Sequence, residues 1–151
     1  MPPTGGEHGT VVINLTVPLA QFVKARQLGR VFGAETGFTI ARSPDTVRAP
    51  DLAFVTASRV SSIGISKKFV SGPPDLAIEV VSPGDTVNEV DEKVQDWLGT
   101  GVRLVWIVNP KPRTVTVYAT GQPPRILSET EQIDGGDVIP GFRLPIHEIF
   151  A

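Results

Sequence analysis

Cysteine is absent from the 151 residues. That excludes disulfides, thiolate metal centres and a cysteine nucleophile. Histidine is scarce: His8 and His147 are the two in the chain. A histidine-rich zinc site is therefore not expected, and a catalytic triad would have to draw on one of these two. No apolar run approaches the roughly 20 residues that span a bilayer. The N-terminal stretch MPPTGGEHG has neither the basic start nor the apolar centre of a secretion signal. A cytoplasmic location without a membrane partner is the expectation. An excess of positive charge is also missing, since 14 Lys and Arg stand against 16 Asp and Glu, a formal net charge of −2. Bulk charge does not recruit nucleic acid here, so such a partner must be met by a local patch or through a bound cation. There is no GxGxxG and no P-loop, and nothing supports a nucleotide cradle.

What is present suits one domain with a real core: 40% hydrophobic and 20% charged residues over a length that buries most of its apolar surface. The first nine residues, rich in Pro and Gly, read as irregular. Over residues 11–27, Val11, Val12, Leu15, Leu19, Phe22 and Val23 recur at helical intervals. Pro18 predicts a kink or a late start, and Leu28-Gly29-Arg30 predicts the helix end. Val31-Phe32 and Phe38-Thr39-Ile40 read as short strands, ARSPDTVR as a loop and residues 51–55 as a strand opened by Pro50. Residues 58–72 show no clear period.

Residues 75–81 form the strongest strand signal. After an SPGDT turn, Val87, Val90, Val94, Trp97 and Leu98 make one helical stripe, which Gly99 and Gly101 end. LVWIV at 104–108 is apolar on both faces, as an inner strand is. TVTVY at 114–118 alternates as a half-buried strand does. Residues 125–127 read as a further strand, and the tail VIPGFRLPIHEIF as apolar pieces packed on the sheet. The order of elements predicts an α/β sandwich with a mixed sheet.

The chemistry is concentrated in the acids of these strands. Asp75, Ala77, Glu79 and Val81 share one face of a strand, while Leu76, Ile78 and Val80 share the other. An unpaired carboxylate in such a run is costly to bury, so solvent, a cationic side chain or a metal ion must compensate. RAPDLAFV places Asp51 after a proline as PPDLAIEV places Asp75. If these strands pair, acids from each meet at the end of the sheet, and two or three such oxygens suit Mg²⁺. Lys93 lies beside the apolar stripe of its helix and can lay its stem along the core with the ammonium toward the sheet end. There it would hold a phosphate or activate a water.

Plainer readings stand beside each of these. Asp51 and Asp75 suit turn acids with backbone hydrogen bonds. Glu79 suits an ion pair with an arginine, and Lys93 a solvated pair with Glu89. His8 suits a surface or capping role more than a base or ligand, and His147 a structural one. Trp97 and Trp106 fit the core. Lys67 and Lys68 suit a solvated loop or phosphate contacts.

Taken together, Pro-Asp-x-x-x-Glu-Val-x-Ser-Pro, the Glu-Lys pair on the helix, the following Gly-Val and Trp-x-Val-x-Pro resemble the Uma-two family of restriction-endonuclease-like proteins, within the PD-(D/E)XK nuclease superfamily. EHG, LGRVFGAETGF, VRAPDLAFV and IPGF extend the likeness over nearly the whole chain. The resemblance implies a restriction endonuclease-like fold and metal-dependent hydrolysis of DNA. It implies Asp51 and Glu79 as Mg²⁺ or Mn²⁺ ligands together with the Val80 carbonyl, and Lys93 as the catalytic cation. The superfamily's lysine position, two residues after the second acid, is Val81 here, and Lys93 takes its place from the following helix. Family members carry a further helix and hairpin ahead of Glu-His-Gly, so this single domain is expected to lack them, with an acid that flanks the site.

Arg26, Arg30, Arg48, Lys67 and Lys68 are then candidates for backbone contacts, and cutting both strands would favour a homodimer. The competing expectations are a catalytically inactive module for nucleic-acid binding or assembly, and a metal-dependent hydrolase of small phosphoesters.

Overall fold

The apolar run at 104–108 and its alternating neighbour become the centre of the molecule. The computed structural model describes residues 3–64 and 67–151. In chain order these form α1 (Gly6–Arg26), β1 (Gly29–Phe32), β2 (Phe38–Ala41), β3 (Thr46–Arg48), β4 (Leu52–Thr56), α2 (Ala57–Ile63), β5 (Val70–Ser71), β6 (Leu76–Val80), α3 (Val87–Leu98), β7 (Leu104–Asn109), β8 (Thr114–Ala119), β9 (Arg125–Leu127), β10 (Gln132–Asp134), β11 (Arg143–Pro145) and α4 (Ile146–Ile149). The main sheet has the order β1-β4-β6-β7-β8-β9. β6 and β7 run parallel and the other neighbours antiparallel. This is the mixed sheet that the pattern of elements implies.

Strand alternation sorts the side chains into two layers. Leu52, Phe54, Leu76, Ile78, Val80, Trp106 and Val117 face α1 and the C-terminal β10–β11–α4 segment in one core. Ala77, Val105 and Ile107 face Val94 and Trp97 of α3 in another. Ala53 and Val55 meet Phe38 of the small β3-β2-β5 sheet. Asp51 and Glu79 continue the parity of this second face.

Four local expectations are corrected. The first helix starts at Gly6, not near Val11, and is continuous across Pro18. An interior proline costs roughly 3 kcal/mol, but Leu15, Leu19 and Val23 are fully buried, each contributing about 1.5–3 kcal/mol, so packing wins. The helix ends at Gln27, which takes the left-handed conformation expected near Gly29. Gly29 instead opens β1, where a Cβ would lie 2.0 Å from the Val55 carbonyl oxygen. The stretch ARSPDTVR holds β3, and residues 58–72 hold most of α2 and all of β5; Ile65 and Ser66 of that stretch lie outside the described residues. β3 and β5 were hidden by brevity, since two or three residues carry no period, and the seven-residue α2 has no fully buried side chain to mark a face. Among the described residues no helix is long and apolar enough to cross a membrane.

Candidate active site

β4 and β6 pair with Leu52 opposite Ile78 and Ala53 opposite Ala77. One step further along the same register, Asp51 stands opposite Glu79. There the regular ladder stops, and the two carboxylates take over its rungs. The Val80 amide donates to Asp51 Oδ2 at 2.8 Å, and the Asp51 amide donates to Glu79 Oε1 at 3.2 Å. The sequence thus satisfies two backbone N–H groups at a strand end with side-chain acceptors, and in doing so locks two acids side by side. The turn-acid reading of Asp51 holds in part: it does accept from backbone, but from a strand 29 residues away.

Two rings approach this pair from opposite layers. The indole of Trp97 on α3 donates to Glu79 Oε2 at 3.4 Å. His8 on α1 places Nε2 3.4 Å from Asp51 Oδ2. Neither role was anticipated. Trp97 is a core residue as expected, buried against Ala77 and Val94, but its N–H also serves the site. His8 is buried rather than a surface or capping residue. Its signal was present in the spacing, because His8, Val11, Leu15, Leu19 and Val23 share one buried stripe of α1. The glycines around it obscured that start.

Burial first, and the neighbouring Asp51 second, push Glu79 up from 4.5 to about 7; Lys93 and the Trp97 hydrogen bond pull the other way. Two carboxylates this close cannot both ionise freely without a compensating cation. Lys93 lines the same cleft, exposed, and among the described residues it forms no ion pair with Glu89 or any other acid. Val81 packs beside the α3 core, so no cation comes from that position.

The cleft has a volume of about 730 Å³ and is also lined by Arg48, Asp85, Glu89, Glu92 and Asp96. Arg48 Nη2 lies 3.1 Å from Asp96 Oδ2 across it. Among the described residues, six lining carboxylates (Asp51, Glu79, Asp85, Glu89, Glu92, Asp96) face two permanent cations, Arg48 and Lys93, a formal balance of −6 + 2 = −4. Hard oxygen donors at a negative site suit a divalent cation such as Mg²⁺ or Mn²⁺. No three His, Cys, Asp or Glu side chains among the described residues are grouped to hold an ion. The side-chain donors are therefore the two carboxylates, and backbone carbonyl and water would have to complete the shell.

Asp75 is elsewhere. It shares the strand face with Glu79 but sits four residues away, about 13 Å along the strand. It is buried, accepts from the Thr56 amide at 2.8 Å, and lies 3.4 Å from Arg59 and 3.3 Å from Arg103. The arginine pairing considered for Glu79 occurs at Asp75 instead. Of the other basic candidates, Arg30 lines a separate depression with Lys24 and Ser61, and Arg26 stacks over Phe22. Among the described residues, Arg48 is the one arginine that lines the cleft. His147 is exposed on α4.

Comparison with known proteins bears on the family and the fold. The model of the Uma2 family, described as putative restriction endonuclease, matches residues 1–147. A crystal structure of a putative nuclease belonging to DUF820 from Anabaena variabilis superposes with a TM-score of 0.82 at 22% identity, covering 99% of this chain and 83% of that one. At that identity the likeness establishes the fold, restriction endonuclease-like as the sequence resemblance implied. Comparison with functionally curated proteins gives no match.

Proposed function

The chain belongs to the Uma2 family of putative restriction endonucleases, and from that premise we propose that it hydrolyses phosphodiester bonds of DNA with a divalent cation held at Asp51 and Glu79. The observation that carries this reading is the meeting of Glu79 of β6 with Asp51, just ahead of the antiparallel β4, in a cleft that also presents the ammonium of Lys93, which forms no ion pair among the described residues. Asp51 and Glu79 would supply the side-chain ligands and the Val80 carbonyl a third. A bound Mg²⁺ or Mn²⁺ supplies Lewis acidity toward the phosphate and a water of lowered pKa.

The chain's own residues do the remaining work. Lys93 faces the site from α3 and stabilises negative charge that develops on the phosphate. Arg48, at the cleft edge, releases Asp96 to contact the backbone of the strand being cut. The acidic walls keep anionic DNA away from an unloaded site, which makes cleavage conditional on the cation. In this reading the protein acts in the cytoplasm, and double-strand scission calls on a second copy.

The test is a titration of Mg²⁺ and Mn²⁺ against supercoiled plasmid. Nicking should appear with the metal. It should fall more than about 100-fold in Asp51→Asn and Glu79→Gln, since losing a ligand costs more than the 10–100-fold typical of groups that only orient ligands. Lys93→Met should keep metal binding and lose turnover. The acidic cleft also favours a second reading, a nuclease-fold module that does not cut. Wild-type protein that binds metal and DNA yet leaves the plasmid intact would establish it. Turnover of small phosphodiesters with plasmid left whole would move the substrate class.

A further inference from the structure

We infer that His8 is a positioning residue of the site, holding the Asp51 carboxylate in the one orientation that leaves Oδ1 turned to the cleft. The argument begins with burial. The His8 side chain is 9% exposed, although it lies in the first turn of a helix. A buried imidazole needs a polar partner, and the polar group it meets among the described residues is Asp51 Oδ2, at 3.4 Å. That oxygen already accepts from the Val80 amide at 2.8 Å. The Val80 amide fixes Oδ2 by a hydrogen bond and the His8 ring abuts the same oxygen at 3.4 Å, so the two together restrict rotation of the carboxylate, and Oδ1 has no hydrogen-bond partner among the described residues.

The support behind His8 is rigid. Val11, Leu15, Leu19 and Val23 fasten the same stripe of α1 to the sheet, and Asn14 ties the helix to the carbonyls of Ile149 and Ala151 at 3.0 Å each. A side chain carried on a packed helix holds its partner more exactly than one carried on a loop. α1 therefore does more than cover the sheet: it sets one of the two acids. On the other side of the pair, Trp97 does the same for Glu79 Oε2 from α3. Each carboxylate is held by a ring from a different layer, so the separation of the acids depends on both layers staying docked.

The test has two arms, and only the second rests on the proposed cation site. The first uses metal-free protein and amide hydrogen exchange. His8→Ala should speed exchange of the Val80 amide by roughly fivefold to tenfold, as its hydrogen bond to Asp51 loosens, while the amides of Val105 and Ile107 in β7 keep their protection. The second titrates Mn²⁺ calorimetrically. His8→Ala should weaken binding about 10- to 100-fold, and His8→Gln, which keeps a polar side chain beside Asp51, should restore most of it. Uniform acceleration across β6 and β7 would reduce His8 to a packing residue and overturn the inference, as would wild-type Mn²⁺ affinity in His8→Ala. Wild-type protein that binds no Mn²⁺, with Val80 exchange still accelerated in His8→Ala, would retain His8 as the holder of Asp51 and overturn the cation reading alone.

Discussion

β6 and the residue leading into it, Asp75, present two carboxylates on one face, and the two ends of the segment treat them oppositely. At the N-terminal end Asp75 is buried with two guanidinium groups and a backbone N–H around it. At the C-terminal end Glu79 meets another carboxylate, an indole N–H and an amide. The strand is the same and the parity is the same. What differs is the charge that the neighbouring elements bring. α2 and the bend just ahead of β7 deliver Arg59 and Arg103 to Asp75, which neutralise it and turn it into a tie between elements. Asp51, just ahead of β4, meets Glu79, and burial first and this neighbour second raise the Glu79 pKa to about 7 and leave the end of the strand short of positive charge. A buried acid is therefore not a sign of function; a buried acid facing a second acid is a better one.

The largest effect that would break this contrast is catalytic. Glu79→Gln should lose more than about 100-fold in metal-dependent plasmid cleavage, whereas Asp75→Asn, assayed well below its melting temperature, should cut within about twofold of wild type, because Asp75 lies about 13 Å along the strand from the site. Equal losses in the two variants would show that Asp75 belongs to the site.

The next effect is on stability against pH. An acid whose folded pKa is raised binds its proton more tightly folded than unfolded. Its stabilisation is complete below the unfolded value near 4.5 and is lost as pH rises through about 7. Over that window Glu79 withdraws on the order of 3 kcal/mol from the metal-free protein. Urea unfolding at pH 5 and pH 8 should show this decline in wild type and little of it in Glu79→Gln, which should be the more stable of the two at pH 8. Saturating Mn²⁺ at about 100 times its Kd should return about 2.7 kcal/mol to wild type at pH 8.

Asp75→Asn moves stability the other way, by about 1–3 kcal/mol. The Thr56 amide is left with a poorer acceptor and two guanidinium groups lose their counter-charge. The loss stays below the 3–5 kcal/mol of a fully buried pair, because Arg59 and Arg103 keep 30% and 48% of their side-chain surface in water. The same isosteric amide, placed four residues apart on one strand face, should thus stabilise at one position and destabilise at the other. The smallest effect is at the cleft edge: Asp96→Asn breaks the half-exposed pair with Arg48 and should change stability by under about 1 kcal/mol.

The strong elements were legible because their signals are local. Alternation over residues 114–118 and the stripe of Val94 and Trp97 need only neighbours two to four positions apart, and both became elements with those faces buried. The acids of the pair were legible as misfits: Glu79 among aliphatics and Asp51 after a proline. β3, α2 and β5 were not, since short segments are held by their partners rather than by their own pattern. His8 was misjudged because the glycines at 5, 6 and 9 suggest irregular chain, while the stripe that buries it pulls the helix start back to Gly6.

The amino-acid sequence by itself determined that carboxylates would stand in apolar strands, and that α3 would set Lys93 and Trp97 within one turn of each other. It did not determine which carboxylate would be neutralised. That was decided by the antiparallel register of β4 against β6, which brings together residues 28 positions apart, and by Arg59 and Arg103 arriving from other elements at Asp75. The physical reason is that side-chain periodicity is a property of one segment, whereas the solvation of a charge is a property of everything packed around it.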